Sequence, residues 1–194
     1  MLCSGGGGKP STIHRMNVLK IIEKYYQEQS DLYHVLVKHS RSVADKALGI
    51  ARLHPEMNID LAFIEEAAML HDIGILFCHA PDIHCHGTYD YICHGYLGAK
   101  LLQYEKLPRH ALVCERHTGT GITIKTVIEK KLPLPHRDFV PVTLEEQIIC
   151  FADKFFSKTN LDKEKPIDTI QKTLRKHGEE AVLRFNSWCK LFLE

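Results

Sequence analysis

A chain of 194 residues is long enough for one domain with a full hydrophobic core, or for one domain and a small appendage. Hydrophobic residues make up 44% and charged residues 25%, an ordinary globular balance, and a formal net charge of +1 gives no sign of a nucleic-acid or membrane-surface protein, so any anion site has to be local. No apolar run approaches the roughly 18 residues that cross a bilayer, the Gly-rich start lacks the apolar core of a secretory signal, and seven cysteines without a CxxC pair read as free thiols in a reducing cytoplasm.

Residues 1–15 (MLCSGGGGKPSTIHR) read as a flexible leader. The stretch GGGGKPST has the outline of a phosphate-binding loop, but Pro10 stands where that motif needs Ser or Thr after Lys9, and no strand precedes it. Val18, Leu19, Ile22, Tyr25 and Tyr26 fit an amphipathic helix over 16–29. Ser30 or Asp31 caps a second helix, which runs to about His54 and is stopped by Pro55. A third starts near Asp60 and ends around Asp72, with Gly74 as a break. Residues 77–91 form a loop whose His, Cys and Gly content marks it as a functional candidate. Helical periodicity returns over 92–105, and a short helix follows Pro108 to the region of His117. TGTG at 118–121 breaks the chain, 124–131 fits a short helix, and Pro133, Pro135 and Pro141 make 132–142 a loop. Thr143, with Glu145 and Glu146, opens a helix to about Thr159. Pro166 starts another, and Gly178 separates it from a last helix containing Trp188 and Phe192. There is no internal repeat, sustained alternating strand or clear linker. The fold class is therefore all-α, a single-domain helical bundle over 16–194 with a core of about 30–160 and C-terminal helices over 166–193.

The chain holds 13 histidines, several of them crowded into 71–94. His71-Asp72 lies between Ala67-Ala68-Met69-Leu70 and Ile73, and such an apolar setting is costly for an ionisable pair unless each group is bonded or binds a metal. Alone, the pair also fits a helix end with the imidazole on a carbonyl. His39 falls on the apolar stripe of Leu32, Leu36, Val43, Ala47 and Ile50, so it faces the core. A buried histidine bonded to backbone is the plain alternative. Asp153 shares a face with Ile149 and Phe156. It needs a metal, a buried cation, or a local helix salt bridge with Lys154 or Lys158. His94 opens a helix whose apolar face is Leu97, Leu101 and Leu102, and His117 ends a short one before Thr118-Gly119. Taken together, these side chains come from separate helices and can converge in a bundle core, and imidazole with carboxylate suits Fe, Mn, Zn, Co or Ni.

The order His39, His71-Asp72, Asp153 resembles the H…HD…D signature of HD-superfamily phosphohydrolases, and HDIGI (71–75) matches the extended HD-Ile-Gly form. HGYLGAKLL (94–102), RHTGTG (116–121) and IICFADK (148–154) resemble segments of bacterial HD proteins that cleave dinucleoside tetraphosphates symmetrically. The resemblance spans about 30–160, and the 77–91 loop is longer than in those enzymes. It implies an HD-type bundle in which His39, His71, Asp72 and Asp153 hold one divalent transition metal. His94 and His117 hold a second, and Asp72 bridges the two, with iron the leading choice. It further implies cleavage of a nucleotide or dinucleoside polyphosphate by metal-activated hydroxide. For the phosphate, Lys154 is the first expected cation and Arg116 the second, beside Thr118, while Arg41 and Arg137 are further candidates. Among His79, His84 and His86, His84 is the expected proton donor to the leaving oxygen, with Cys85 and Cys93 as soft replacement ligands. Expected partners are a phosphorylated small molecule and a second copy of the chain, with no membrane and no extended nucleic-acid surface. Two other readings keep the site: a di-iron oxygenase, and a non-catalytic nucleotide sensor.

Overall fold

A computed structural model describes residues 16–194, and the expected leader 1–15 lies outside the described residues. Nine α-helices are present among them: α1 (Val18–Ile22), α2 (Asp31–Leu53), α3 (Leu61–Leu70), α4 (His94–Tyr104), α5 (Pro108–Arg116), α6 (Ile124–Glu129), α7 (Leu144–Asp153), α8 (Ile167–Arg175) and α9 (Glu179–Leu193). Their starts follow from capping chemistry. Side chains of Ser30, Asp60, Thr123 and Thr143 accept hydrogen bonds from the amides of Tyr33, Phe63, Thr126 and Glu146, satisfying donors that a helix start leaves orphaned. Among the described residues no helix is long and apolar enough to cross a membrane.

The central layer pairs α2 with α3 and α7, and α5 with α3, α4 and α7. Ala44, Ala47, Ala67, Ala68 and Ala152 are fully buried, so these helices approach closely. The α8–α9 pair closes one side. There Phe151 of α7 packs on Phe185 and Phe192 of α9, with ring centroids 5.2 and 5.6 Å apart.

Three expectations need correction. The helix expected over 16–29 is shorter, since α-helix covers only Val18–Ile22 and then gives way to turns. Tyr26 instead serves as an anchor: its hydroxyl donates to Ile73 O at 2.7 Å and accepts from Leu76 N at 3.2 Å, pinning a 3-10 turn over Ile73–Phe77. The helix expected to reach Thr159 stops at Asp153. Amides of Lys154, Phe155 and Phe156 bond carbonyls three residues back, tightening the last turn and sending the chain off the helix axis. The 77–91 segment, expected as a loop, contains regular structure. It folds into a two-stranded antiparallel hairpin, β1 (His79–Ala80) with β2 (Cys85–His86), flanked by 3-10 turns.

Glycines set the closest approach in the bundle. A Cβ on Gly74 would lie 2.1 Å from His94 O and 2.4 Å from Gly98 N, and one on Gly98 would lie 2.5 Å from Cys114 Sγ. Without side chains there, the turn after Asp72 rests directly on α4, and α4 on α5. That contact carries His94 and His117 to the carboxylate of Asp72.

Candidate metal centre

Six side chains from five helices or their ends meet in the core. His39 comes from within α2 and Asp153 from the last position of α7; His71 and His117 are the residues immediately after α3 and α5, Asp72 follows His71, and His94 opens α4. His39, His71, Asp72 and Asp153 each bring a donor atom within 4.8 Å of the others, and Asp72, His94 and His117 do the same. Asp72 belongs to both groups and splits them by oxygen. Its Oδ2 lies 3.2 Å from His39 Nε2 and 3.0 Å from His71 Nε2. Its Oδ1 lies 3.3 Å from both His94 Nε2 and His117 Nε2. Asp153 Oδ1 completes the first group, 3.0 Å from His39 Nε2 and 3.5 Å from His71 Nε2.

The imidazoles are oriented by backbone. Nδ1–H of His71, His94 and His117 donates to the carbonyl three residues earlier, on Ala68, Tyr91 and Cys114, at 2.6, 2.6 and 2.7 Å. That bond fixes the tautomer and turns each Nε2 toward Asp72. Burial pushes His94 down to about 3, and it also pushes His117 down, so both rings are neutral and both Nε2 atoms present lone pairs. These two Nε2 atoms face each other at 3.0 Å. Two acceptors so close repel unless a cation lies near both, and the second donor group fits one. His71 Nε2 and both Asp72 oxygens, one in each group, are buried without a well-directed hydrogen bond. Burial alone would raise the Asp72 pKa, yet His71 and Lys158 hold it well below the usual carboxylate range. Asp153 is likewise held low against its burial, chiefly by Lys154. Burial opposes the charge on His71, but Asp72 and Asp153 raise it to about 9. The donor set, imidazole nitrogens with carboxylate oxygens around a doubly used carboxylate, suits a divalent transition metal.

Beside the centre lies a cavity of about 430 Å³ that reaches Asp153 and is lined by Lys154, Lys158, Lys165 and Tyr91. Lys154 Nζ bonds Asp153 Oδ2 at 2.8 Å and His117 O at 3.1 Å. Lys158 Nζ sits 2.5 Å from Asp72 Oδ2. Burial would lower both ammonium groups, but Asp153 and Asp72 raise them, so both stay charged. Lys165 is different: its partial burial and the two neighbouring lysines lower it despite Asp153. Tyr91 stacks on His94 at 4.7 Å between centroids and walls the opposite side.

The other expected residues are distributed less uniformly. Arg116 is held by the buried Glu146 at 3.0 Å and Arg137 by Glu115 at 2.8 Å, which tie α5 to α7 and to the 132–142 loop. Arg41 pairs with Glu65 at 3.0 Å. His84 is half-exposed, in a left-handed conformation (φ 61°), with its Nδ1 3.9 Å from Asp31 Oδ2. It is not among the residues lining the 430 Å³ cavity. Thr118 faces a second cavity, and Cys85 and Cys93 belong to neither donor group. Lys158 and Lys165 were not anticipated as site residues. Only the early end of α7 brings Lys158 onto Asp72, and sequence periodicity gave no sign of that end.

The chain belongs to the HD domain family, whose model matches residues 36–157, and proteins of this family are in general metal-dependent phosphohydrolases that bind divalent metals. An uncharacterized protein of Methanocaldococcus jannaschii is 35% identical over 147 residues, 73% of this chain and 76% of that protein. Two proteins named tRNA (cytidine(56)-2'-O)-methyltransferase, from Thermoplasma volcanium and Picrophilus torridus, are 32% and 30% identical over 151 residues. The match takes in 77% of this chain but only 39% of each of those longer proteins. No solved structure matches the chain significantly.

Proposed function

We propose that this HD protein hydrolyses a phosphoester or phosphoanhydride of a nucleotide or dinucleoside polyphosphate, with His39, His71, Asp72 and Asp153 holding one divalent metal and Asp72, His94 and His117 a second. The observation that carries the reading is the adjacency of the two donor groups to a cavity bearing three lysines. Lys154 and Lys158 stay charged beside Asp153 and Asp72, and Lys165 has no carboxylate bonded to it among the described residues. Bound divalent metal supplies Lewis acidity toward phosphoryl oxygens and lowers the pKa of a nearby water.

The chain's own residues do the rest. Lys154 and Lys158 place fixed positive charge where the phosphoryl group gains negative charge, so they stabilise the transition state without reorganising. Tyr91, stacked on His94, walls one side of the centre, and His94 itself is buried. Each turnover consumes one water: an O–P bond to water oxygen forms, the O–P bond to the leaving group breaks, and the leaving oxygen takes a proton.

A screen of mono-, di- and dinucleoside phosphates against freshly purified protein tests the reading. Turnover of at least one nucleotide is expected, and Asp72→Ala should abolish it while the protein keeps its helical circular dichroism. Unchanged turnover in that variant contradicts the proposal.

A further inference from the structure

A second and larger cavity, of about 810 Å³, adjoins the first and shares Gly119, Leu174 and His177 with it. Five Lys and Arg side chains line it against three Glu, so its balance is basic in a chain that is close to neutral overall. Two of the cations bond only backbone oxygen: Lys130 Nζ donates to His177 O at 3.3 Å, and Arg184 donates to Thr120 O at 2.8 Å. Neither meets a carboxylate within ion-pair distance among the described residues. Arg175 and Lys176 stand exposed at the end of α8 and also line the cavity. Ile122 and Leu132 add apolar surface to the same lining, together with the threonines of 118–126. His177, at the shared boundary, is held below its usual value by partial burial first and then by Lys130, Lys154 and Lys176, so cations of both cavities act on one imidazole.

We propose that the second cavity holds the remainder of the substrate, and that this remainder is a nucleoside carrying a second phosphate remote from the scissile one. The inference rests on the hydrolase reading for the assignment of the first cavity. A single phosphate is already served by Lys154, Lys158 and Lys165, and an uncharged leaving group would gain nothing from a second basic wall. A cavity of this size takes a whole small ligand, typically about 300–1,000 Å³. The apolar strip fits a base, the hydroxyls fit a ribose, and the Arg175–Lys176 wall fits an anion. One charge-assisted contact is worth roughly 1.5–3 kcal/mol, which is about a 10- to 100-fold change in affinity.

Calorimetric titration tests this without requiring turnover, using adenosine 3',5'-bisphosphate, adenosine 5'-phosphate and fructose 1,6-bisphosphate on the metal-loaded protein. Adenosine 3',5'-bisphosphate should bind at least about tenfold tighter than either of the others. In the double variant Arg175→Gln/Lys176→Gln its advantage over adenosine 5'-phosphate should collapse, with the thermal midpoint unchanged. Equal affinity for the two adenosine phosphates in the unaltered protein overturns the second-phosphate assignment, and so does an advantage that survives the double variant. Equal affinity for fructose 1,6-bisphosphate overturns the nucleoside. If the expected preferences appear but no nucleotide is hydrolysed, the second cavity stands and the hydrolase reading fails, so the two outcomes are separable.

Discussion

At the scale of single residues, Asp72 organises the centre. One oxygen faces His39 and His71, the other His94 and His117, and the ammonium of Lys158 closes on the first. Losing that ammonium leaves the phosphoryl group one fixed charge short. Lys158→Gln should lower kcat/KM for the best nucleotide substrate by about 10- to 100-fold, the scale of one charge-assisted hydrogen bond. Steady-state kinetics check it, and an unaltered kcat/KM removes Lys158 from the reaction. Away from the centre, His110 of α5 packs edge-on against Phe63, with Glu66, Asp60 and Arg109 as the charged groups around it. Burial, the largest influence, holds it below 6.5 although Glu66 pulls the other way. Its folded-state value is then lower than its unfolded one, so the unfolded chain binds the proton first as pH falls. The stability it contributes is complete above about 6.5 and is lost as pH drops toward the depressed value. An imidazole resonance of His110 that titrates above 6.5 contradicts this. The histidines of the first donor group were legible because His39 sat on an apolar stripe and His71-Asp72 in an apolar run. Lys165 was not, since nothing in its neighbours distinguishes it from a solvated lysine.

At the scale of elements, the decisive contact is α4 against the turn after Asp72. A methyl at position 98 would meet Cys114 Sγ and Gly74 backbone, so α4 must move outward. Gly98→Ala should therefore reduce metal retained by the Asp72–His94–His117 group more than that of the other, as measured by metal content per chain. Full retention of both would show that α4 tolerates the shift. Helix α7 is seated by Phe151, which is fully buried between α7 and α9 and carries Asp153 two residues on. Phe151→Ala should cost about 3–5 kcal/mol in urea unfolding, the range for truncating a buried aromatic ring. A loss under 1 kcal/mol would mean that the aromatic cluster does not hold α7. Helix starts were readable from Ser30, Asp60 and Thr143, each of which caps as its chemistry dictates. Two helix ends were not. The apolar period continues past Ile22 and past Asp153, while the chain is turned there by tertiary partners: Tyr26 on Ile73, and Lys165 N on Phe155 O. The 77–91 hairpin escaped notice because its strands are two residues each, too short for any alternation to register.

At the scale of the whole molecule, five helices are arranged so that one carboxylate is shared by two groups of donors, with a lysine-bearing cavity at the edge and a larger basic cavity beyond it. The all-α class and the order of donors could be read from the sequence, since helical period and residue type are local properties. The cavities could not, because their walls combine 80–92, 118–132, 153–165 and 173–184, segments that only folding brings together. Elemental analysis of freshly purified protein beside His94→Ala decides whether the six side chains form a two-metal centre: about two divalent transition metals per chain are expected in the first and about one in the second. Protein that carries no metal, or a His94→Ala variant that retains both, would contradict it.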